Sequence, residues 1–244
     1  MCGRYSLTTE QEALAVALGV EGLVHPVPRY NIAPTQRVPV LLGRDGSGRA
    51  GTGRAGTLEA GVQRWGLVPS WAESPSSGVP LINARSETAH RKPSFREPFR
   101  RSRCLVPADG FFEWVSGAGG KVPYWIHRPD RVPFTFAGLS DEWRSPEGEI
   151  LASFTILTTE ADETLRPIHH RMPVVIDEDR REEWLDPEAS LVGLRAILSE
   201  ATSAGMVTTE VSTRVNSPAN DDPECLVPAE DSGHGGTVEQ TSLF

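Results

Sequence analysis

The sequence predicts an α+β fold built on a mixed or antiparallel sheet system, and three observations carry that expectation. Short segments of strand character recur at Lys121–His127, Phe134–Leu139, Ser153–Thr158 and Met172–Ile176, separated by Pro, Gly or charged residues. Two helical patterns, Asp179–Leu185 and Glu188–Leu198, follow these strands instead of alternating with them as a βαβ chain requires. There is neither a glycine-rich dinucleotide fingerprint nor a phosphate-binding P-loop. The 244 residues, 38% of them hydrophobic, suffice for one core or at most two modest domains.

Taken in order, the first element is a helix over residues 10–18, with Thr9 as its cap and Glu12 as the reciprocal capping-box residue. Leu14 and Leu18 give it an apolar side, and Gly19 supplies the stop. The section Gly43–Gly61 is rich in glycine and lacks apolar periodicity, which predicts an exposed loop between strands at Arg37–Leu42 and Val62–Leu67. In the later helix, Leu191, Leu194, Ala196 and Leu198 are the packing positions. Residues 231–244 read as a flexible tail, which leaves 1–230 as the domain.

The formal charge of -9 argues against nonspecific polyanion binding by the whole surface, but the charge is unevenly distributed. Residues 1–110 hold 14 Lys or Arg against 9 Asp or Glu, whereas 111–244 hold 10 against 24. Arg85 through Arg103 carries seven basic and two acidic residues, which is compatible with a local phosphate-binding face or with a solvated charge run. The three cysteines, Cys2, Cys104 and Cys225, form neither a disulfide framework nor a metal motif, so no metal or other cofactor is expected. No window resembles a secretory leader or a membrane span; the expected address is the cytoplasm, with nucleoid association if the source is bacterial.

Cys2 has a chemistry that an internal cysteine lacks. Once Met1 is removed it presents an α-amine, of pKa about 7.7 to 8.0, and a thiol, of pKa about 8.5, on adjacent carbons. An aldehyde can form an imine with the nitrogen and then accept the sulfur, closing a thiazolidine ring. Other segments set polar groups among apolar or restricted neighbours: Asn31–Pro34, Asn83–Glu87, Gly110–Trp114 and Ile168–Pro173. Each alone also fits a hydrogen-bonded core network. Glu113 is flanked by Phe111, Phe112 and Trp114, which can shield it and raise its pKa.

Taken together, MCGRYSL, NIAPTQ, WGLVPSW, NARSET, CLVPADGFFEW, IHHRMPVV and VSTRVNSPANDDPECLVP resemble, in order, the SRAP family of SOS response-associated peptidases or abasic-site processing proteins. The resemblance covers nearly residues 1–230 and implies a single SRAP-like domain with a barrel-like, largely antiparallel core and peripheral helices. It implies that Cys2 is the crosslinking nucleophile and that Asn83, Glu113 and His169 complete the catalytic set; the family spacing I-H-x-R-M-P selects His169 over His170. Arg4, Arg85 and Arg171 correspond to its DNA-contacting arginines.

Asn31 and Pro34 of NIAPTQ are further candidates for DNA contact, as are Trp65, Leu67, Pro69 and Trp71 of WGLVPSW, where an aromatic can stack on a base and Leu67 or Pro69 can act as a wedge. The implied partner is single-stranded DNA containing an abasic site, including one at a single-strand/double-strand junction, met by a monomer with no membrane involvement. The resemblance also implies limited lyase activity and self-removal of Met1, although a cellular methionine aminopeptidase is an equally reasonable agent because cysteine is small. Two other readings stay open on the residues: an N-terminal-nucleophile amidohydrolase or peptidase, and a noncatalytic single-stranded DNA-binding module.

Overall fold

A ring of five strands lies at the centre of the molecule. The computed structural model describes residues 2–20, 28–43, 58–76, 78–117 and 119–229; the predicted tail and most of the predicted Gly43–Gly61 loop lie outside them. Within these residues the strands are β1 (Tyr5–Leu7), β2 (Arg29–Ile32), β3 (Arg37–Gly43), β4 (Leu58–Trp65), β5 (Asn83–Arg85), β6 (Arg103–Ala108), β7 (Gly110–Gly117), β8 (Gly120–His127), β9 (Phe134–Arg144), β10 (Ile150–Glu160), β11 (Arg171–Pro173), β12 (Val175–Ile176) and β13 (Val207–Glu210). The helices are α1 (Gln11–Leu18), α2 (Ser86–Ala89), α3 (Arg96–Arg101), α4 (Arg181–Leu185) and α5 (Leu191–Ser199).

One sheet runs β11-β10-β4-β3-β6-β9-β12, and pairing of β9 back onto β10 closes β10, β4, β3, β6 and β9 into a barrel. Closure removes the free edges that an open sheet of these apolar strands would expose. Among the described residues only β10–β4 and β10–β5 are parallel, so the fold is α+β with a mixed, largely antiparallel barrel core. The second sheet, β13-β8-β7-β1-β2, packs beside it. Tyr5 joins the two, meeting Trp65 edge-on at 5.2 Å and Phe136 at 6.0 Å between ring centroids.

A buried cation fastens α3 and α4 to the barrel. The Arg103 guanidinium is 1% exposed and donates to the carbonyls of Phe99, Arg100, Trp184 and Asp186. These carbonyls belong to the C-terminal ends of α3 and α4, where helix dipoles favour positive charge. Burial lowers the Arg103 pKa to about 10.

Most expected strands and both late helices are present, with corrections: Met172–Ile176 is split into β11 on β10 and β12 on β9, and a 3-10 turn at Glu178–Arg180 precedes α4 within the helix expected over Asp179–Leu185. β9 continues to Arg144, with Trp143 buried between exposed Glu142 and Arg144. The later helix starts at Leu191 because the Ser190 side chain caps it, accepting from Gly193 N–H. The first helix begins at Gln11 without the Thr9 cap. The N–H and hydroxyl of both Thr8 and Thr9 instead donate to the Asp109 carboxylate, a buried acceptor from across the sheet. Gly19 does end that helix, in the left-handed region at φ 65°. Residues 58–61, assigned to the loop, are the first four of β4 and pair with β3 from Leu58↔Gly43 to Gly61↔Val40.

Candidate active site

Strand register brings the N-terminus to Glu113. β1 and β7 are antiparallel with Tyr5 opposite Phe111, and Phe112 N–H donates to Arg4 C=O at 3.0 Å. Continued toward the terminus, the same register sets Gly3 opposite Glu113. β10 collects the other groups. At Thr158 it pairs with Arg85 of β5 and with Pro173 of β11, so Asn83 approaches from one flank and residues 169–171 from the other.

Cys2 is fully buried, and the Asn83 side-chain amide donates to its carbonyl at 2.8 Å. Asn83 Oδ1 is also buried and has no hydrogen-bond partner among the described residues. Burial raises the Cys2 thiol pKa far above that of a free cysteine, and the nearby Glu113 charge raises it further, so Sγ stays protonated. Glu113 is 6% exposed; burial pushes its carboxyl upward while the positive N-terminus opposes that.

His169 is lowered by burial first and by the N-terminal charge second. Its Nδ1 lies 2.9 Å from the backbone N and 3.1 Å from the carbonyl oxygen of Arg171, so the backbone of that residue holds the ring in place. His170, the exposed neighbour, stacks on it with ring centroids 4.3 Å apart. Glu113 thus acts on the Cys2 thiol and Asn83 holds the Cys2 carbonyl, while β11 brings the segment after His169 to the same part of β10 as β5.

The three arginines occupy different environments. Arg4 donates to Asn31 Oδ1 at 2.7 Å and to Val215 C=O at 2.9 Å, and lies 5.7 Å from the centre of the Trp114 ring. With Gly3, Trp114, Lys121 and Asn216 it lines an open groove beside the terminus. Arg85 is exposed at the start of α2. Arg171 is 7% exposed and holds Glu87 bidentately, at 2.6 and 3.0 Å.

Asn31 is wholly buried, and its Nδ2 donates to the carbonyls of Val215, Ser217 and Asn220. Its link to the groove runs through Arg4. Pro34 is half-buried in a tight turn, closed by Gln36 N–H to Ala33 C=O, in which Thr35 adopts φ 74°. A β-branched residue is strained there, at about 1–3 kcal/mol.

In WGLVPSW the side chains divide sharply. Trp65 is 0% exposed and stacks on Phe154, and Leu67 and Pro69 are buried too. Trp71 is 65% exposed. Its loop is pinned by Val68 N–H to Ser153 Oγ, Ser70 N–H to Asp141, and Trp143 Nε1–H to Ala72 C=O. Sequence reasoning missed Glu87, Lys121 and Asn216 as site neighbours, although NARSET and VNSPAN contained two of them.

Among the described residues no cluster of three His, Cys, Asp or Glu could hold a metal ion, and no helix is long and apolar enough to cross a membrane.

The barrel, the N-terminal cysteine and its buried partners define a known class: residues 1–218 match the model of the SOS response associated peptidase (SRAP) family, and the chain belongs to that family. It is 38% identical over 233 residues to the abasic site processing protein YoqW of Bacillus subtilis, covering 93% of this chain and 99% of that one. To the abasic site processing protein HMCES of Gallus gallus it is 38% identical over 227 residues, covering 83% of this chain and 67% of the relative. A crystal structure of a protein from Bacteroides thetaiotaomicron superposes with a TM-score of 0.77 at 28% identity, over 93% of this chain and all of that one.

Proposed function

We propose that this chain, freed of Met1, captures an abasic site in single-stranded DNA as a thiazolidine between Cys2 and C1′ of the opened deoxyribose. The observation that carries the reading is the fixed position of Cys2, whose carbonyl is held by Asn83 at 2.8 Å where the strand register sets the terminus against buried Glu113. The relatives are abasic site processing proteins, which agrees with it.

In this reading His169 gives a proton to the sugar ring oxygen as the ring opens, and the neutral Cys2 amine attacks C1′. A C–N bond forms, the aldehyde oxygen leaves as water, and an imine remains. Glu113 takes a proton from the attacking nitrogen and stabilises the cationic imine. The thiol then adds through sulfur to the cationic imine carbon, the C=N electron pair returns to nitrogen, and the thiol proton passes to His169, left neutral by the first step, which closes the five-membered ring. The balance is aldehyde plus aminothiol to thiazolidine plus water.

A thiol held neutral by burial fits this order, amine first and sulfur second. It fits poorly with acyl transfer by a Cys2 thiolate on other substrates, the peptidase reading. Asn83 Oδ1 is an acceptor for a sugar hydroxyl or for the freed amine. Arg4 and Arg85 hold flanking phosphates, Asn31 acts by fixing Arg4, and Arg171 adds charge behind its pair with Glu87. Trp71 stacks on an unpaired base, and the Pro34 turn borders the strand. One chain supplies every group, so the monomer is the acting unit.

Loss of a proton from the carbon beside the imine gives limited β-elimination, in competition with capture by sulfur. Cleavage of the Met1–Cys2 bond by the chain itself is the remaining part of the proposal. The test is to mix the chain, its terminus verified by intact mass, with single-stranded DNA carrying one abasic site. A denaturation-resistant adduct is expected, absent with intact DNA. Cys2→Ser should give at most an imine that borohydride traps. The same stable adduct from both proteins would refute the role of sulfur.

A further inference from the structure

The charge run from Arg85 to Arg103 folds into two distinct parts. Arg103 is buried among helix-end carbonyls, as described above. Arg91, Lys92, Arg96 and Arg100 are all exposed. They sit on one short continuous segment: α2, a turn closed by Arg91 N–H and Lys92 N–H to Thr88 C=O and by Arg96 N–H to Lys92 C=O, and then α3. Both acids of the run are already engaged, Glu87 with Arg171 and Glu97 with Arg101. Among the described residues, the side chains of Arg91, Lys92, Arg96 and Arg100 have no carboxylate within ion-pair distance and donate no hydrogen bond.

Arg96 and Arg100 are four apart on α3, so like charges share one face of the helix, which costs about 0.2–0.5 kcal/mol in isolation. Exposed Arg195 of α5 is near enough to His90, together with Arg91, to lower that histidine's pKa after burial has done so. The positive field therefore extends across the segment. The segment is continuous with two parts of the site. It begins at Arg85, and Arg96 and Ser94 share a cleft with Trp71.

We infer that Arg91, Lys92, Arg96 and Arg100 form a second phosphate-binding ledge, which holds the backbone of the DNA strand after it leaves the abasic nucleotide past Arg85 and Trp71. This rests on the reading of the Cys2 cleft as a DNA site and extends it to the flanking strand. Unpaired cations on a folded ledge, with an exposed tryptophan on a pinned loop at its border, combine the two elements of sequence-tolerant single-strand binding: charge along the backbone and stacking for the bases. An acidic protein of net charge -9 needs such a local concentration of cations to hold a polyanion.

The test uses the full chain and undamaged single-stranded DNA, so that no crosslink enters the measurement. Fluorescence anisotropy on a 5-mer and a 20-mer at several salt concentrations gives the slope of log affinity against log salt. Each single-strand phosphate contact contributes about 0.7 to that slope. Arg96→Gln should make the 20-mer slope shallower by about 0.7, and Arg96→Gln with Arg100→Gln by about 1.4, with little change on the 5-mer. Arg131→Gln, a charge-matched exposed control, should leave both slopes unchanged. Thermal melts identical to wild type show that the variants fold.

An unchanged 20-mer slope in the double variant, or an equal loss with Arg131→Gln, would overturn the ledge. Equal losses on the 5-mer and the 20-mer would do so as well, by placing the arginines at the cleft itself. The arms also separate the two readings. Absence of an adduct on abasic DNA with the ledge slopes intact would remove the chemistry and keep the ledge. Normal adduct formation on a short abasic oligonucleotide with unaltered slopes would do the reverse.

Discussion

The Asn83 amide donates to the Cys2 carbonyl at 2.8 Å, tying a strand of the barrel sheet to the end of the chain. The bond crosses 81 positions of sequence and fixes backbone rather than a side chain, so the amine and thiol of Cys2 are aimed together. Asn83→Ala should slow single-turnover adduct formation about 100-fold, the scale expected when a reacting group is misplaced by an ångström. Stability should fall by only about 1 kcal/mol. Adduct yield on denaturing gels against time, with a parallel urea melt, checks both. A rate within threefold of wild type would contradict the positioning role.

Adduct formation should follow a bell-shaped pH profile. Burial raises Glu113, so its ionised form is lost as pH falls through a value above the ordinary carboxylate range. Burial lowers His169, so its protonated form is lost as pH rises through a value below that of a free imidazole. The two limbs approach each other, and protonation of the attacking Cys2 amine, whose ordinary pKa is about 7.7 to 8.0, adds to the acid limb. Glu113→Gln should reduce the maximum by about 10²–10⁴ and leave an acid limb set by the Cys2 amine alone. A profile flat between about pH 5 and 8 would contradict both assignments.

Gly110 is a glycine for want of space. A Cβ there would lie 2.5 Å from Trp125 Cε2 and still closer to Nε1, in rigid ring atoms that hydrogen-bond to Ser6. Gly110→Ala should cost about 1–3 kcal/mol through overpacking and lower the melting temperature. It should also shift β7, and with it Glu113, so adduct formation should fall more than stability alone explains. Calorimetry beside the kinetic assay separates the two effects.

The Glu87–Arg171 pair should appear in the pH dependence of stability. Burial works to raise the Glu87 pKa, but the Arg171 hydrogen bonds and charge outweigh it, and the net shift is downward. A depressed carboxyl contributes stability above its unfolded value and loses it as pH falls through the folded one. Glu87→Gln should therefore be about 1 kcal/mol less stable than wild type near neutrality, because the glutamate is half exposed. The gap should close in acid. Urea melts at neutral and acid pH measure it, and a gap independent of pH would show that the pair is electrostatically silent.

Sequence patterns located the late helices and several strands well, because these segments alternate or repeat on one face. β6 was missed for a physical reason. All six of its residues are buried, so the period-two signal is absent, and Pro107 reads as a breaker. β7 follows after a single residue, Asp109, whose acceptor role across the sheet also displaced the expected Thr9 cap. The segments that meet around Cys2 were legible as motifs, but the environments of their side chains were not. Nothing local to WGLVPSW says that Trp65 fills the core while Trp71 faces solvent; that follows from where the barrel closes. Nor does an arginine announce that it will be buried against Glu87, as Arg171 is.

Arg4 hydrogen-bonds to Val215, 211 positions away, and Asn31 fastens the same late segment through three carbonyls. On a ribosome adding about 5–20 residues per second, the support for this arginine is made tens of seconds after the arginine itself. A nascent chain displays its N-terminal strand long before Arg4 can be seated beside it. The final position of Arg4 is thus tied to completion of the chain, and a product truncated before residue 215 would lack the carbonyl that holds it.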